Sequence, residues 1–248
     1  MKTFIDKIQK NPWTAVIGAV IIGAAIMFIS SAISKPITNI IDKHIGLDFY
    51  TRNAIFKFLV LLLTIAVILV VNKGNLTNYG FRKATNINYF KFTLRVTGII
   101  LAAQIIGAVL FMGILNHIFP TGNSTGFPET KSLLERILTV WIWSSLCEEV
   151  LVRGFVQSFI QHLKHLKLFR LSLPVIISGL FFGAIHLSLF KAGMGLWFIL
   201  FIVFNTTIIG LTAAYYREKT DSLIPAFWAH FIANVVGSLP LLIKLLIS

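Results

Sequence analysis

The sequence predicts an all-α protein, a polytopic membrane helical bundle with about seven helices (six to eight), forming a single integral membrane domain over residues 1–248. Three observations carry this. Hydrophobic residues make up 56% of the chain and charged residues only 12%, whereas an ordinary soluble domain is about 25% charged. Mean hydropathy is +0.85. Several apolar windows approach or exceed the ~20 residues that a helix needs to cross ~30 Å of hydrocarbon.

Taken in order, the apolar windows place spans at 13–33, 54–71, 96–118, 134–160, 171–190, 196–215 and 223–247. The segment before the first, MKTFIDKIQKNPW, scatters its charges, and no small-residue cleavage pattern follows the apolar run. The first span is therefore expected to be a retained helix and not a removed signal. Between the second and third spans, NKGNLTNYGFRKATNINYFKF mixes aromatics with bases, the composition of an amphipathic segment lying on the cytoplasmic surface. The stretch 120–130, PTGNSTGFPET, has the Gly, Pro and Ser/Thr content of an ordered external loop. Its Asn123 sequon would matter only on a eukaryotic secretory route. No internal repeat or low-complexity tract divides the chain.

Lysines and arginines outnumber acids by 22 to 9. Their placement argues for a membrane and against nucleic acid, because they cluster in alternate connections. One set comprises Lys2, Lys7 and Lys10, then Lys73, Arg82, Lys83, Lys91 and Arg95, then Lys164, Lys167 and Arg170, then Arg217 and Lys219. The intervening segments carry fewer: Lys35, Lys43 and Arg52, then Lys131 and Arg136, then Lys191, with Lys244 in the tail. The positive-inside rule then predicts a multi-pass protein of a cell membrane, with a cytoplasmic N-terminus and, given seven spans, an external C-terminus. A pI of about 10.1 also predicts contact with anionic lipid.

Polar groups are divided unevenly. The first three spans are mostly aliphatic, with Lys57 and Gln104 as exceptions, whereas the last four hold Glu148, Glu149, Arg153, His186, Asn205, His230 and Asn234. An ionisable group within a span costs about 2.5–3.5 kcal/mol by insertion scales and so demands a partner or a function. Glu149 and Arg153 stand at i and i+4 with the acid N-terminal, the favourable order for an ion pair. Glu148 has Val152 at its own i+4 position, so this pairing leaves it without a local cation and makes it the candidate general base. His230 and Asn234 share one helical face, and His186 lies one turn after Phe182.

Each group alone has a plainer reading. A lone histidine bonds across helices, a Glu–Arg pair locks two of them, Asn205 is a structural hydrogen-bond partner, and Cys147 is a small buried filler. Together, two carboxylates, two imidazoles and a carboxamide on three helices can supply a base, an orienting partner and donors for a developing oxyanion. HExxH is absent, which removes the zincin helix, and no Ser–His spacing stands out for serine catalysis. Glu148, His186 and His230 remain able to form a His₂Glu zinc site, and spacing alone leaves that alternative open.

These residues, in this order, resemble the CAAX protease and bacteriocin-processing family (CPBP, or Abi), intramembrane glutamate endopeptidases similar to type II CAAX prenyl proteases. The pattern is EExxxR, FxxxH and HxxxN, found here as Glu148-Glu149 with Arg153, Phe182 with His186, and His230 with Asn234. Gly154 follows the arginine and Pro225 precedes the last motif, as in the family, and the resemblance covers roughly 134–237. It implies that Glu148 is the catalytic base, working with His186, and that His230 and Asn234 stabilise the oxyanion. It also implies that Glu149, Arg153 and Phe182 support the site, and that no metal cofactor is needed. The expected substrates are membrane-associated peptides or lipidated proteins, and membrane lipids are expected partners. The compact chain and its Lys-, Ile- and Asn-rich composition suit the family's bacterial branch of bacteriocin immunity and peptide processing.

Two other readings compete. One is a catalytically silent scaffold or bacteriocin immunity protein that binds a peptide or a membrane kinase. The other is a proton-coupled transporter, against which stands the lack of repeated, Gly/Pro-broken helices in two halves. Counting along straight helices places His186 and His230 toward opposite membrane faces, so a shared site requires tilted or broken helices.

Overall fold

A computed structural model of the protein describes residues 8, 10–121, 126–127, 130 and 132–247. The Asn123 sequon and the charges at Lys2, Lys7 and Lys131 lie outside the described residues. Helix α1, Pro12–Ile45, starts where the Asn11 side chain accepts from the amides of Trp13 and Thr14, and stops at Gly46, whose φ of 63° is left-handed. It runs through Pro36, beyond the expected end at 33, as transmembrane helices do when neighbours satisfy the freed carbonyl. Helix α2, Phe49–Val71, is capped by Asp48. Helix α3 spans Tyr89–Ile118, capped by Asn88 and widened to π pitch at Ala108–Leu115.

Helix α4 covers 133–157 and alternates between α and π pitch. A two-residue hairpin, β1 Lys167–Leu168 with β2 Leu171–Ser172, precedes α5, Leu173–Ile185. At His186 the chain tightens into a 3₁₀ turn that ends at Ala192. Helix α6 is Leu196–Thr220, α7 is Leu223–Gly237 and α8 is Leu239–Ile247.

The result is an all-α membrane bundle. Five helical stretches among the described residues are long and apolar enough to cross a membrane: α1, α2, α3, α6 and the run Leu173–Ala192. The expected last span, 223–247, is two helices. It breaks at Ser238, and Pro240 in the next turn has no N–H to carry the ladder onward. At 15 residues, α7 is only ~22 Å long. The segment between α2 and α3 holds one turn of 3₁₀ helix, Thr77–Tyr79, and is otherwise irregular. It is tied to the α6–α7 turn: the Leu223 amide donates to the Gly80 carbonyl at 2.9 Å, the Ser222 hydroxyl to the Arg82 carbonyl at 2.6 Å, and Arg82 pairs with Asp221 at 2.6 Å.

Helix α4 sits at the centre, packed by α1, α2, α5, α6 and α7. Every residue from Val150 to Gln157 is buried. Small residues let the neighbours close in. A Cβ on Gly23 of α1 would lie 2.8 Å from Val156, and one on Gly183 of α5 would lie 2.0 Å from the Thr207 hydroxyl of α6. Close backbone approach at small residues is how helices associate where lipid is as apolar as the side chains.

Candidate active site

The middle of α4 presents Ser144, Ser145, Glu148, Glu149 and Arg153, all buried. Arg153 donates to the Glu149 carboxylate at 2.8 Å, the i,i+4 pair the spacing predicts, and also to the Gly210 carbonyl at 2.9 Å. The second bond is possible because α5 and α6 are nearly in backbone contact there: a Cβ on Gly210 would stand 2.9 Å from the Gly179 carbonyl oxygen. The guanidinium lies 4.6 Å from the centre of the Phe182 ring, a cation–π contact strengthened by exclusion of water.

His230 of α7 lies between the two carboxylates. Its Nδ1 is 2.9 Å from Glu149 Oε1 and its Nε2 is 3.6 Å from Glu148 Oε2. Because the carboxylate of Glu149 accepts, Nδ1 carries the proton. Nε2 therefore donates only when the ring is an imidazolium.

Phe182 joins the second histidine to the first. The His186 and His230 rings both meet it edge-on, each with centroids 5.1 Å away. His186 Nδ1 is 2.8 Å from the Phe182 carbonyl, an oxygen that can only accept, so Nδ1 is the donor and Nε2 of the neutral ring keeps its lone pair. Glu148, Lys57 and His230 are all close enough to act electrostatically on this ring. The end of α5 at Ile185 and the shortness of α7 supply the broken helices that a shared site requires.

Asn234 lies one turn beyond His230. Its amide donates to the Ser145 hydroxyl at 2.9 Å and to the Val140 carbonyl at 3.2 Å, so both its hydrogens are engaged by α4. Asn205 is buried and donates to the Phe201 carbonyl of its own helix at 2.8 Å.

One expectation is overturned. Glu148 is not without a cation, because Lys57 of α2 donates to its Oε1, and the Ser144 hydroxyl donates to the same oxygen at 3.1 Å. The i,i+4 argument sees only one helix, while this partner lies 91 positions away in sequence. The signal was the isolated lysine itself: a buried cation in an otherwise aliphatic span must find an acid.

The zinc alternative fits poorly. Among the described residues, no three His, Cys, Asp or Glu side chains are grouped to hold a metal ion. The Lys57 ammonium also occupies one Glu148 oxygen.

Fold and site together define a helical membrane protein with a water-poor cluster of acid, imidazole and amide groups, an arrangement suited to hydrolysis. Residues 130–236 match the family of the type II CAAX prenyl endopeptidase Rce1-like proteins, which is the resemblance carried by the three motifs. That family is one of proteases. Neither a curated protein nor a solved structure matches the chain.

Proposed function

We propose that the protein is an intramembrane glutamate endopeptidase. It hydrolyses a peptide bond in a membrane-associated peptide or lipidated protein, of the kind cut in CAAX, bacteriocin, pheromone or signal-peptide processing. The observation that supports this most is that His186 and His230, from separate motifs, both meet Phe182 inside a helix bundle, and that Glu148, from a third, lies 3.6 Å from His230. The setting is the plasma membrane of a bacterium, with the N-terminus inside.

Glu148, aided by the free Nε2 of His186, takes a proton from water. The water oxygen then bonds to the scissile carbonyl carbon, and the carbonyl π electrons move onto its oxygen. His230 as an imidazolium donates from Nε2 to this oxyanion while Glu149 holds its Nδ1 proton. Asn234 adds a second donor once its amide turns from Ser145. Collapse of the intermediate breaks the C–N bond, and the proton held by Glu148 passes to the leaving amine. Arg153 offsets the charge of Glu149, and Lys57 that of Glu148, in a site remote from bulk water.

The test is cleavage of a membrane-anchored peptide library by the purified, reconstituted protein. Glu148→Gln is expected to lower the rate about 10²- to 10⁴-fold, the contribution of a positioned general base, and His230→Ala by about 10²-fold or more through loss of an oxyanion donor. Activity is expected to survive a strong chelator. Full rates in both variants would overturn the site.

The Lys57–Glu148 pair favours a second reading, a catalytically silent scaffold or immunity protein in which that carboxylate is only a structural lock. Absence of cleavage of any library peptide by the wild type would select it.

A further inference from the structure

Away from the active site, the first two turns of α3 and the last turn of α6 enclose a cleft of about 210 Å³. Its wall carries Lys91, Arg95 and Lys219, with Asn86 and Asn88 at the rim and Phe92 and Tyr216 at the floor. Both helices are long enough to cross a membrane, so the cleft, at their ends, lies at headgroup depth.

The cations have no acid to serve. Among the described residues, Lys91, Arg95 and Lys219 form no ion pair. The two acids at this end of α6 face elsewhere: Glu218 accepts from Ser172 at 2.6 Å, and Asp221 pairs with Arg82 at 2.6 Å and Arg217 at 3.6 Å. An uncompensated triple positive charge around a concave site predicts an anion.

The floor points the same way. Tyr216 is 9% exposed and packs edge-on against Phe92 at 4.5 Å, and its hydroxyl has no hydrogen-bond partner among the described residues. The Asn88 side-chain oxygen, Oδ1, accepts from the Lys91 amide at 3.0 Å, which leaves its NH₂ as a donor. A phosphate could take charge from the wall and hydrogen bonds from Asn88 and Tyr216, while Ile87 and Phe92 receive the first acyl carbons.

We propose that this cleft binds a phosphate group carried by an anionic phospholipid headgroup. It lies outside the catalytic machinery and does not depend on the hydrolytic reading.

The test uses the full chain, extracted from bilayers of equal phosphatidylglycerol and phosphatidylcholine, with retained lipid counted by native mass spectrometry. The wild type is expected to keep phosphatidylglycerol selectively. The triple variant Lys91→Gln, Arg95→Gln, Lys219→Gln loses about five-fold in affinity per cation, on the order of 100-fold together. Tyr216→Phe, which keeps the ring and its packing, loses roughly three- to ten-fold, the worth of one hydrogen bond. The control is Lys164→Gln, Lys167→Gln, Arg170→Gln, with the same charge change near the hairpin, which Ser172 ties to the same end of α6. It is expected to retain wild-type selectivity.

An equal loss in the control would overturn the proposal by showing a diffuse surface effect. So would a wild type indifferent to headgroup. Calorimetry with inorganic phosphate in detergent separates the sources. Saturable millimolar binding, lost in the cleft variant and unaccompanied by lipid selectivity, would replace the lipid with free phosphate.

Discussion

Helix α4 and helices α1–α3 solve opposite problems. In α4 every residue from Val150 to Gln157 is buried although Arg153 and Gln157 are polar. In α1, α2 and α3 only 17–22% of the most apolar window is buried, and Ile17, Phe28 and Ile105 are more than half exposed. The most hydrophobic helices are therefore the hull, and the helix with the most charge is the interior. Without a hydrophobic drive to bring helices together in lipid, the interior is where hydrogen bonds and close packing concentrate. Lys57 ties the two regions together, because a hull helix supplies the counter-ion of an interior acid.

If that contrast is right, removing one partner of an interior pair should cost far more than any change on the hull. Arg153→Met leaves Glu149 charged and buried with its guanidinium gone, and is expected to lose about 3–5 kcal/mol. Thermal unfolding in detergent would show this as a large fall in Tm. The double variant Glu149→Gln, Arg153→Met should recover much of the loss, since no naked charge remains. A loss in the single variant no greater than for an exposed arginine would break the comparison.

Lys57 tests the link between regions. Lys57→Met and Glu148→Gln, measured singly and together, should show a coupling of about 1–3 kcal/mol. Additive effects would mean that α2 contributes packing alone. Somewhat smaller is Gly183→Ala, whose new methyl must displace the Thr207 hydroxyl at 2.0 Å. Overpacking of this kind costs about 1–3 kcal/mol, and it should weaken the α5–α6 contact that holds the Gly210 carbonyl against Arg153.

Much of this was legible in the sequence, for reasons that particular residues make plain. Glu149 and Arg153 lie on one helix, so spacing alone pairs them. Glu148 and Lys57 lie on different helices, and no local rule reaches across that separation. His186 and His230 could be nominated but not brought together, because the break after Ile185 and the shortness of α7 decide their depth. The turn at Ser238 did carry a signal, Pro240, hidden within an apolar run that reads as one span. The first apolar run misleads in the other direction, since it ends at 33 while the helix continues through Pro36 to Ile45. The π segments of α4 have no composition of their own.

The smallest expected effects finish the comparison. Val152 is fully buried in α4, so Val152→Leu adds a methylene where no space exists and is expected to cost about 1–3 kcal/mol. Phe28 is 75% exposed on α1, and Phe28→Leu exchanges one lipid-soluble side chain for another, with an expected change within about 0.5 kcal/mol. The same unfolding measurement serves both. Because each substitution swaps one apolar residue for another, hydropathy predicts near equality, and only the burial of α4 predicts a difference. Equal effects would mean that Phe28 faces protein and not lipid, which would require a second copy of the chain to cover α1.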